Sequence, residues 1–100
     1  MMAAITEQHA MRNILTLLTQ SLVDTADAVS VDETEVGQTL VYRISAAVGE
    51  TGYLIGKEGK NAAALRQLMG SIGRKMHRRV VIEFSDDERA QDLTSDSRRV

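Results

Sequence analysis

The residues best suited to chemistry lie in one short turn that runs from Gly56 through Lys57 and Glu58 to Gly59. Two glycines separated by two charged residues favour a tight turn whose backbone a bulky ligand can approach closely. A helical pattern begins directly afterwards at Lys60, and the free N–H groups at a helix N-terminus attract anions. Because Lys57 and Lys60 add positive charge on either side, the turn predicts a ligand that carries phosphate.

The distribution of charge also favours an anionic partner. The chain has a formal net charge of −2, but residues 57–79 contain seven basic side chains against one acidic side chain. The seven are Lys57, Lys60, Arg66, Arg74, Lys75, Arg78 and Arg79. Solvated lysines and arginines are common on helix surfaces, whereas their clustering beside a glycine turn is typical of a nucleic-acid contact.

The composition argues against several other functions. The 100 residues include no cysteine and only two histidines, His9 and His77, so we expect no disulfide, no metal site and no cofactor. The acidic residues Asp32, Glu33 and Glu35 have no histidine near them in sequence, and solvation explains them. Since no segment combines a nucleophile, a base and an orienting group, we expect that the protein is not an enzyme.

The sequence predicts a cytoplasmic protein without a membrane span. No apolar run approaches the roughly 18 residues that are needed to cross a bilayer. The N-terminus also lacks the basic start and apolar block of an export signal.

The elements that position the turn follow from hydrophobic periodicity. Residues 5–23 repeat apolar side chains at three- and four-residue steps, which predicts an amphipathic helix. A short strand over 29–35, a turn at Gly37 and a second strand over 39–46 predict a hairpin. A short helix is expected over 48–55, immediately before the glycine turn.

After the turn, residues 60–76 predict a long helix with an apolar core face. The residues of this face are Leu65, Leu68, Met69, Ile72 and Met76. A neighbouring stripe includes Gly70 and Gly73, each of which weakens a helix by about 1 kcal/mol relative to alanine. Two explanations remain open for these glycines: the close approach of a backbone or a nucleotide, or a helix break near Gly73.

The last predicted element is a strand over 80–84. Two helices separate it from the second strand, so the two strands can pair in parallel through a right-handed crossover. The expected fold class is α+β, with the order α-β-β-α-α-β. We expect one domain over residues 1–84, followed by an acidic, flexible tail over 85–100.

With these elements in place, the chain resembles the bacterial type II KH domain of RNA-binding proteins. The resemblance rests on Leu54 and Ile55 before the turn, on Lys60 and Asn61 after it, and on the closing strand. From about residue 18 to residue 84 the chain is similar to the KhpA family. The resemblance implies a single type II KH domain, in which a three-stranded mixed sheet packs against helices and the turn at 56–59, the GxxG loop, joins two helices.

The resemblance also implies which residues contact single-stranded RNA, because a KH domain clamps about four nucleotides across this loop. The implied RNA-binding residues are Leu54, Ile55, Gly56, Lys57, Glu58, Gly59, Lys60, Asn61, Ala63 and Arg66. The glycines would admit the RNA backbone, the lysines would contact phosphates, and the apolar residues, together with Ala62, would form a wall for the bases opposite the last strand. Glu58 departs from the usual basic or small residue and should weaken phosphate contact.

The expected function is therefore that of a small RNA-binding protein that acts as a post-transcriptional regulator or RNA chaperone. A second hypothesis is a protein-interaction adaptor on a KH fold, which forms a homodimer or a heterodimer with a Jag-type KH protein and binds RNA only secondarily. A nucleotide-binding P-loop does not fit, because the spacing from Gly52 to Gly56 is one residue too short and Glu58 follows Lys57.

Overall fold

The structure, a computed structural model, describes residues 2–86, and this part of the chain forms three α-helices and three strands. The elements in chain order are α1 Met2–Leu22, β1 Ser30–Val36, β2 Thr39–Ala46, α2 Thr51–Ile55, α3 Lys60–Lys75 and β3 Arg79–Asp86. Single 3-10 turns lie at Ala26–Ala28 and Lys57–Gly59. The predicted α-β-β-α-α-β order and α+β fold class are confirmed.

The three strands form one mixed sheet with β2 in its centre. β1 pairs with β2 in an antiparallel hairpin, in which Val36 lies opposite Thr39. β3 pairs with β2 in parallel, from Thr39 opposite Arg79 to Ala46 opposite Asp86. A parallel pair needs a crossover connection, and α2 and α3 provide it.

The hydrophobic core lies between one face of this sheet and the helices. The period-two pattern of β2 buries four side chains on that face, Leu40, Tyr42, Ile44 and Ala46. The helices contribute Met11, Leu15, Leu54, Leu65 and Met69, and β3 contributes Ile82. The loop at 56–59 therefore joins two helices that are both anchored in the same core.

The buried faces of the helices differ in detail from the prediction. Leu68 is 48% exposed, whereas Ala62 and Gly73 are buried. The buried row of α3 thus follows Ala62, Leu65, Met69 and Gly73, and Leu68 lies outside this arc. The short helix begins at Thr51 rather than at residue 48.

The acidic strand β1 is not simply a solvated edge, which corrects the prediction. Glu33 lies opposite Tyr42, and its carboxylate accepts a hydrogen bond of 2.6 Å from the Tyr42 hydroxyl. Arg78 donates a hydrogen bond to Glu35. Burial raises the pKa of Tyr42 above its usual range, and the hydrogen bond to Glu33 and the charge of that carboxylate raise it further.

The C-terminal boundary also differs from the prediction. β3 continues to Asp86, so residues 85 and 86 belong to the sheet and not to a tail. The rest of the predicted tail lies outside the described residues. No helix within residues 2–86 is long and apolar enough to cross a membrane.

Candidate nucleic-acid interface

The first glycine of the loop, Gly56, is required by both backbone geometry and space. Its N–H closes α2 by donating to the Gly52 carbonyl at 2.8 Å, and its φ of 80° with ψ of 169° is a conformation that is almost restricted to glycine. A Cβ at this position would lie 2.7 Å from the Asn61 Cγ and 2.9 Å from the Asn61 backbone nitrogen. Any side chain would therefore push α3 away from α2.

The second glycine, Gly59, has a different role. Its φ is 74°, in the left-handed region, but a Cβ built on it would meet no atom within 4 Å. Glu58 is also left-handed, with a φ of 57°, and the Gly59 N–H donates to the Gly56 carbonyl at 3.0 Å. The chain thus turns tightly and leaves open space above Gly59, where the backbone of a ligand can approach.

Asn61 links the two helices behind the loop. Its side-chain amide donates to the Tyr53 carbonyl of α2 at 2.9 Å. The sequence placed Asn61 among the ligand contacts, whereas this bond gives it the task of fixing α3 against α2. We conclude that the loop conformation is set by Gly56 and Asn61 together.

The two lysines of the loop are available for an anion. Lys57 and Lys60 are both exposed. The Lys60 ammonium lies 3.8 Å from a Glu58 carboxylate oxygen, but these side chains are 77% and 71% exposed. Such a surface pair contributes only about 0–1 kcal/mol, so a phosphate can replace Glu58 at little cost.

The N-terminus of α3 adds to the same positive region. Gly59 precedes this 16-residue helix and provides no side-chain capping bond. The N–H of Lys60, the first residue of α3, instead donates to the Lys57 carbonyl of the preceding 3-10 turn. An anion above Gly59 would therefore meet the positive end of the helix dipole.

Arg66 forms the far side of the surface next to the loop. Its guanidinium donates to the Ile82 carbonyl of β3 at 3.1 Å and lies 5.2 Å from the centroid of the Phe84 ring. A cation–π contact of this kind contributes about 0.5–1 kcal/mol at exposed sites. Ala63, one turn earlier on α3, is exposed. Sequence reasoning placed Arg66 at the edge of a wall but missed its contacts with Ile82 and Phe84, for which the only signal was the single aromatic residue of the last strand.

The structure corrects the implied apolar wall. Leu54 is 0% exposed and Ala62 is 4% exposed, so both pack in the core and offer no surface to bases. Ile55, the neighbour of Leu54, is 39% exposed beside the loop. The surface that remains for bases therefore consists of Ile55, Ala63 and the Arg66 region, and contact of RNA with these residues stays a prediction. Within the described residues, no group of three or more His, Cys, Asp or Glu side chains is placed to hold a metal ion.

Comparison with known proteins adds to this geometry. Residues 12–84 match the profile of a family described as KhpA/KhpB, KH domain. The chain is similar to a protein of Aquifex aeolicus, with 42% identity over 75 residues that cover 75% of this chain and 95% of the relative. It is also similar to proteins of Clostridium acetobutylicum, with 34% identity over 74% of this chain and 99% of the relative, and of Chlamydia pneumoniae, with 31% over 78% and 100%. All three relatives are named RNA-binding protein KhpA, a name that describes a binding protein and not an enzyme.

Proposed function

The chain belongs to the KhpA/KhpB family of KH domains, and we propose that it binds single-stranded RNA across the GxxG loop. The observation that carries the proposal is the open space above Gly59, which lies between two exposed lysines and the start of α3. The name of the relatives supports RNA as the ligand. A strand of about four nucleotides is the length that a KH loop clamps.

In this proposal the loop holds the RNA backbone and the neighbouring surface holds the bases. Lys57 and Lys60 contact phosphates, and the positive end of the α3 dipole attracts the same oxygens. The bases lie on Ile55 and Ala63 and extend toward Arg66. Because no aromatic side chain stands in the loop itself, base discrimination is modest and most of the affinity comes from the backbone, as for other phosphate-dominated contacts.

The salt dependence of binding tests this proposal. Each phosphate contact to a single strand contributes about 0.7 to the slope of log K against log salt concentration. The double variant Lys57→Gln, Lys60→Gln should therefore lower the magnitude of the slope by about 1.4 for a short fluorescent RNA measured by anisotropy. The variant should unfold at the same temperature as the unaltered protein, because both side chains are exposed.

The matched control is Lys75→Gln, which removes one exposed lysine from the other end of α3. It should leave the affinity for the short RNA unchanged. If the double variant and the control bind with the slope of the unaltered protein, the loop does not hold the RNA backbone, and the proposal is wrong.

Exposed apolar side chains favour a second candidate function, that of a KH-fold adaptor that acts by dimerisation. Leu17 is 65% exposed and Ile14 is 38% exposed on α1, beside the buried row of Met11 and Leu15. A homodimer, or a heterodimer with a Jag-type KH protein, would cover these side chains. Light scattering of the unaltered protein and of Leu17→Glu tests this candidate: a dimer that becomes a monomer while short-RNA binding persists supports it, and a monomer in both cases opposes it.

A cytoplasmic location and a role as a post-transcriptional regulator or RNA chaperone are further parts of the proposal. They are consistent with an RNA-binding loop of low base discrimination, which would act on many transcripts. Crosslinking in cells followed by sequencing of the attached RNA tests them, because a regulator of this kind should recover a broad set of single-stranded segments.

A further inference from the structure

A second positively charged feature lies at the end of α3 that is remote from the loop. It is an open depression of about 370 Å³, lined by Gly70, Arg74, His77, Arg78, Arg79 and Val80. Arg74 follows Lys60 by fourteen residues on α3, which corresponds to about 21 Å along the axis. The depression is therefore too far away to share a phosphate with the loop.

The arginines around the depression differ in whether a neighbouring group offsets their charge. Arg78 donates to the Glu35 carboxylate and to the Gln38 carbonyl, so its charge is largely offset. Arg74 and Arg79 are exposed and form no salt bridge within residues 9–85, although Arg74 donates to the Ser71 hydroxyl at 3.0 Å. Two guanidinium groups thus remain available for an anion.

Gly70 forms part of the floor. A Cβ built on it would meet only a guanidinium nitrogen of Arg74, at 3.7 Å. The neighbouring Gly73, in contrast, is buried against Val80. Gly73 lets α3 and β3 pack closely, while Gly70 leaves the helix backbone bare above the seam between them.

The depression is connected to the loop by one continuous face of α3. Ala63, Arg66, Gly70 and Arg74 follow each other at steps of three and four residues and therefore lie on one side of the helix. Arg66 reaches the β3 edge at Ile82, so this side runs along the seam between α3 and β3. The strip begins beside the GxxG loop and ends at the two free arginines.

We propose that the RNA strand held at the loop continues along this seam and places a further phosphate in the depression, between Arg74 and Arg79. The inference rests on the proposed function and extends it, because it predicts a footprint longer than the four nucleotides of the loop. Phosphodiester is the favoured ligand because the strip carries the exposed Arg66 and ends in the guanidinium groups of Arg74 and Arg79, which bind phosphate well. Basic residues in the last turn of a helix also offset its dipole. A purely structural role for Arg74, without RNA, is therefore the alternative that the experiment must exclude.

Two RNA lengths separate the extension from the loop. We would measure the affinity and salt slope with an oligonucleotide of about four nucleotides and one of about ten nucleotides. The double variant Arg74→Gln, Arg79→Gln should lower the magnitude of the slope for the longer RNA by up to about 1.4 and weaken its binding, while the shorter RNA binds as before. Lys75→Gln is the control, because Lys75 is an exposed neighbour that does not line the depression.

A variant that leaves the charges unchanged provides an independent measurement. Gly70→Leu should occupy part of the depression, since a Cβ at this position meets only the end of the flexible Arg74 side chain. It should reduce the affinity for the longer RNA alone. Thermal unfolding of each variant shows whether the fold is retained.

The possible outcomes are distinct. Equal binding of both RNAs by all variants, or an equal loss with Lys75→Gln, would refute the extension while the loop proposal stands. Two proteins on each longer RNA, with no effect of the arginine variants, would refute it as well, because each protein would then bind through its loop alone. Failure of the unaltered protein to bind either RNA would refute the proposed function itself.

Discussion

Replacing Gly73 with alanine should destabilise the protein, although alanine is the better helix former, whereas the same change at Gly70 should stabilise it. In an exposed helix interior, alanine is more favourable than glycine by about 1 kcal/mol. At Gly70 the new methyl group meets only a flexible guanidinium at 3.7 Å, so this gain should be realised nearly in full. The two glycines lie three residues apart on the same helix and form a matched pair.

At Gly73 a steric term opposes the gain. The new Cβ would lie 2.6 Å from the Val80 Cγ2 and 2.8 Å from the Arg78 carbonyl oxygen. Val80 can change rotamer, but the Arg78 backbone is held, because its N–H donates to the Gly73 carbonyl at 2.8 Å. Overpacking of this kind costs about 1–3 kcal/mol. The steric term should therefore separate the two variants by about 1–3 kcal/mol in the free energy of unfolding.

Urea unfolding followed by circular dichroism measures this difference. Relative to the unaltered protein, the urea midpoint should rise for Gly70→Ala and fall for Gly73→Ala. The m-values should be similar, because neither change alters the surface exposed on unfolding. If the two variants agree within about 0.5 kcal/mol, α3 and β3 are not in close contact at Gly73. The close packing of α3 on β3 along the seam would then be refuted.

Two further predictions concern the loop and the core. Gly56→Ala should destabilise the protein by about 1–3 kcal/mol and impair RNA binding. Gly59→Asn should keep the stability, since asparagine tolerates the left-handed conformation, but it should lower the RNA affinity by filling the open space. Thermal unfolding measures the stability and anisotropy measures the affinity, and an equal loss of stability in the two variants would contradict the loop geometry. Because the pKa of Tyr42 is raised in the folded state, its contribution to stability is present below the unfolded pKa of about 10 and falls as pH rises beyond it. Tyr42→Phe should flatten the alkaline part of the stability curve, measured by urea unfolding, and an unchanged curve would show that the hydroxyl is not buried against Glu33.

Much of the fold could be predicted because its signals are local. The alternation of residues 39–46 gives the central strand with the observed bounds. The start of α3 at Lys60 follows from the glycine turn before it. The parallel pairing of β3 follows from the two helices that separate it from β2. Each of these inferences needs only residues that are neighbours in sequence or a count of the elements between two strands.

The details that sequence reasoning got wrong or missed depend on tertiary contacts. Leu54 and Ile55 are adjacent apolar residues in a helix of five residues, and only the docking of that helix decides that Leu54 is buried and Ile55 exposed. Leu68 fits an apolar arc, but the buried row includes Ala62 and Gly73, which periodicity of large side chains does not mark. The bond from Arg66 to Ile82 joins residues on two elements, and no local pattern predicts it.

The parallel pairing of β3 with β2 has a consequence for biosynthesis. Each residue of β3 pairs with a residue 40 positions earlier, from Thr39 opposite Arg79 onward, and such distant contacts form late because a long loop must close first. The hairpin of β1 and β2 needs only residues that are close in sequence and can form early, but Arg66 finds its partner carbonyl only when β3 has docked. A newly made chain in which β3 has not yet docked therefore lacks the Arg66–Ile82 contact that forms one side of the proposed RNA-binding surface.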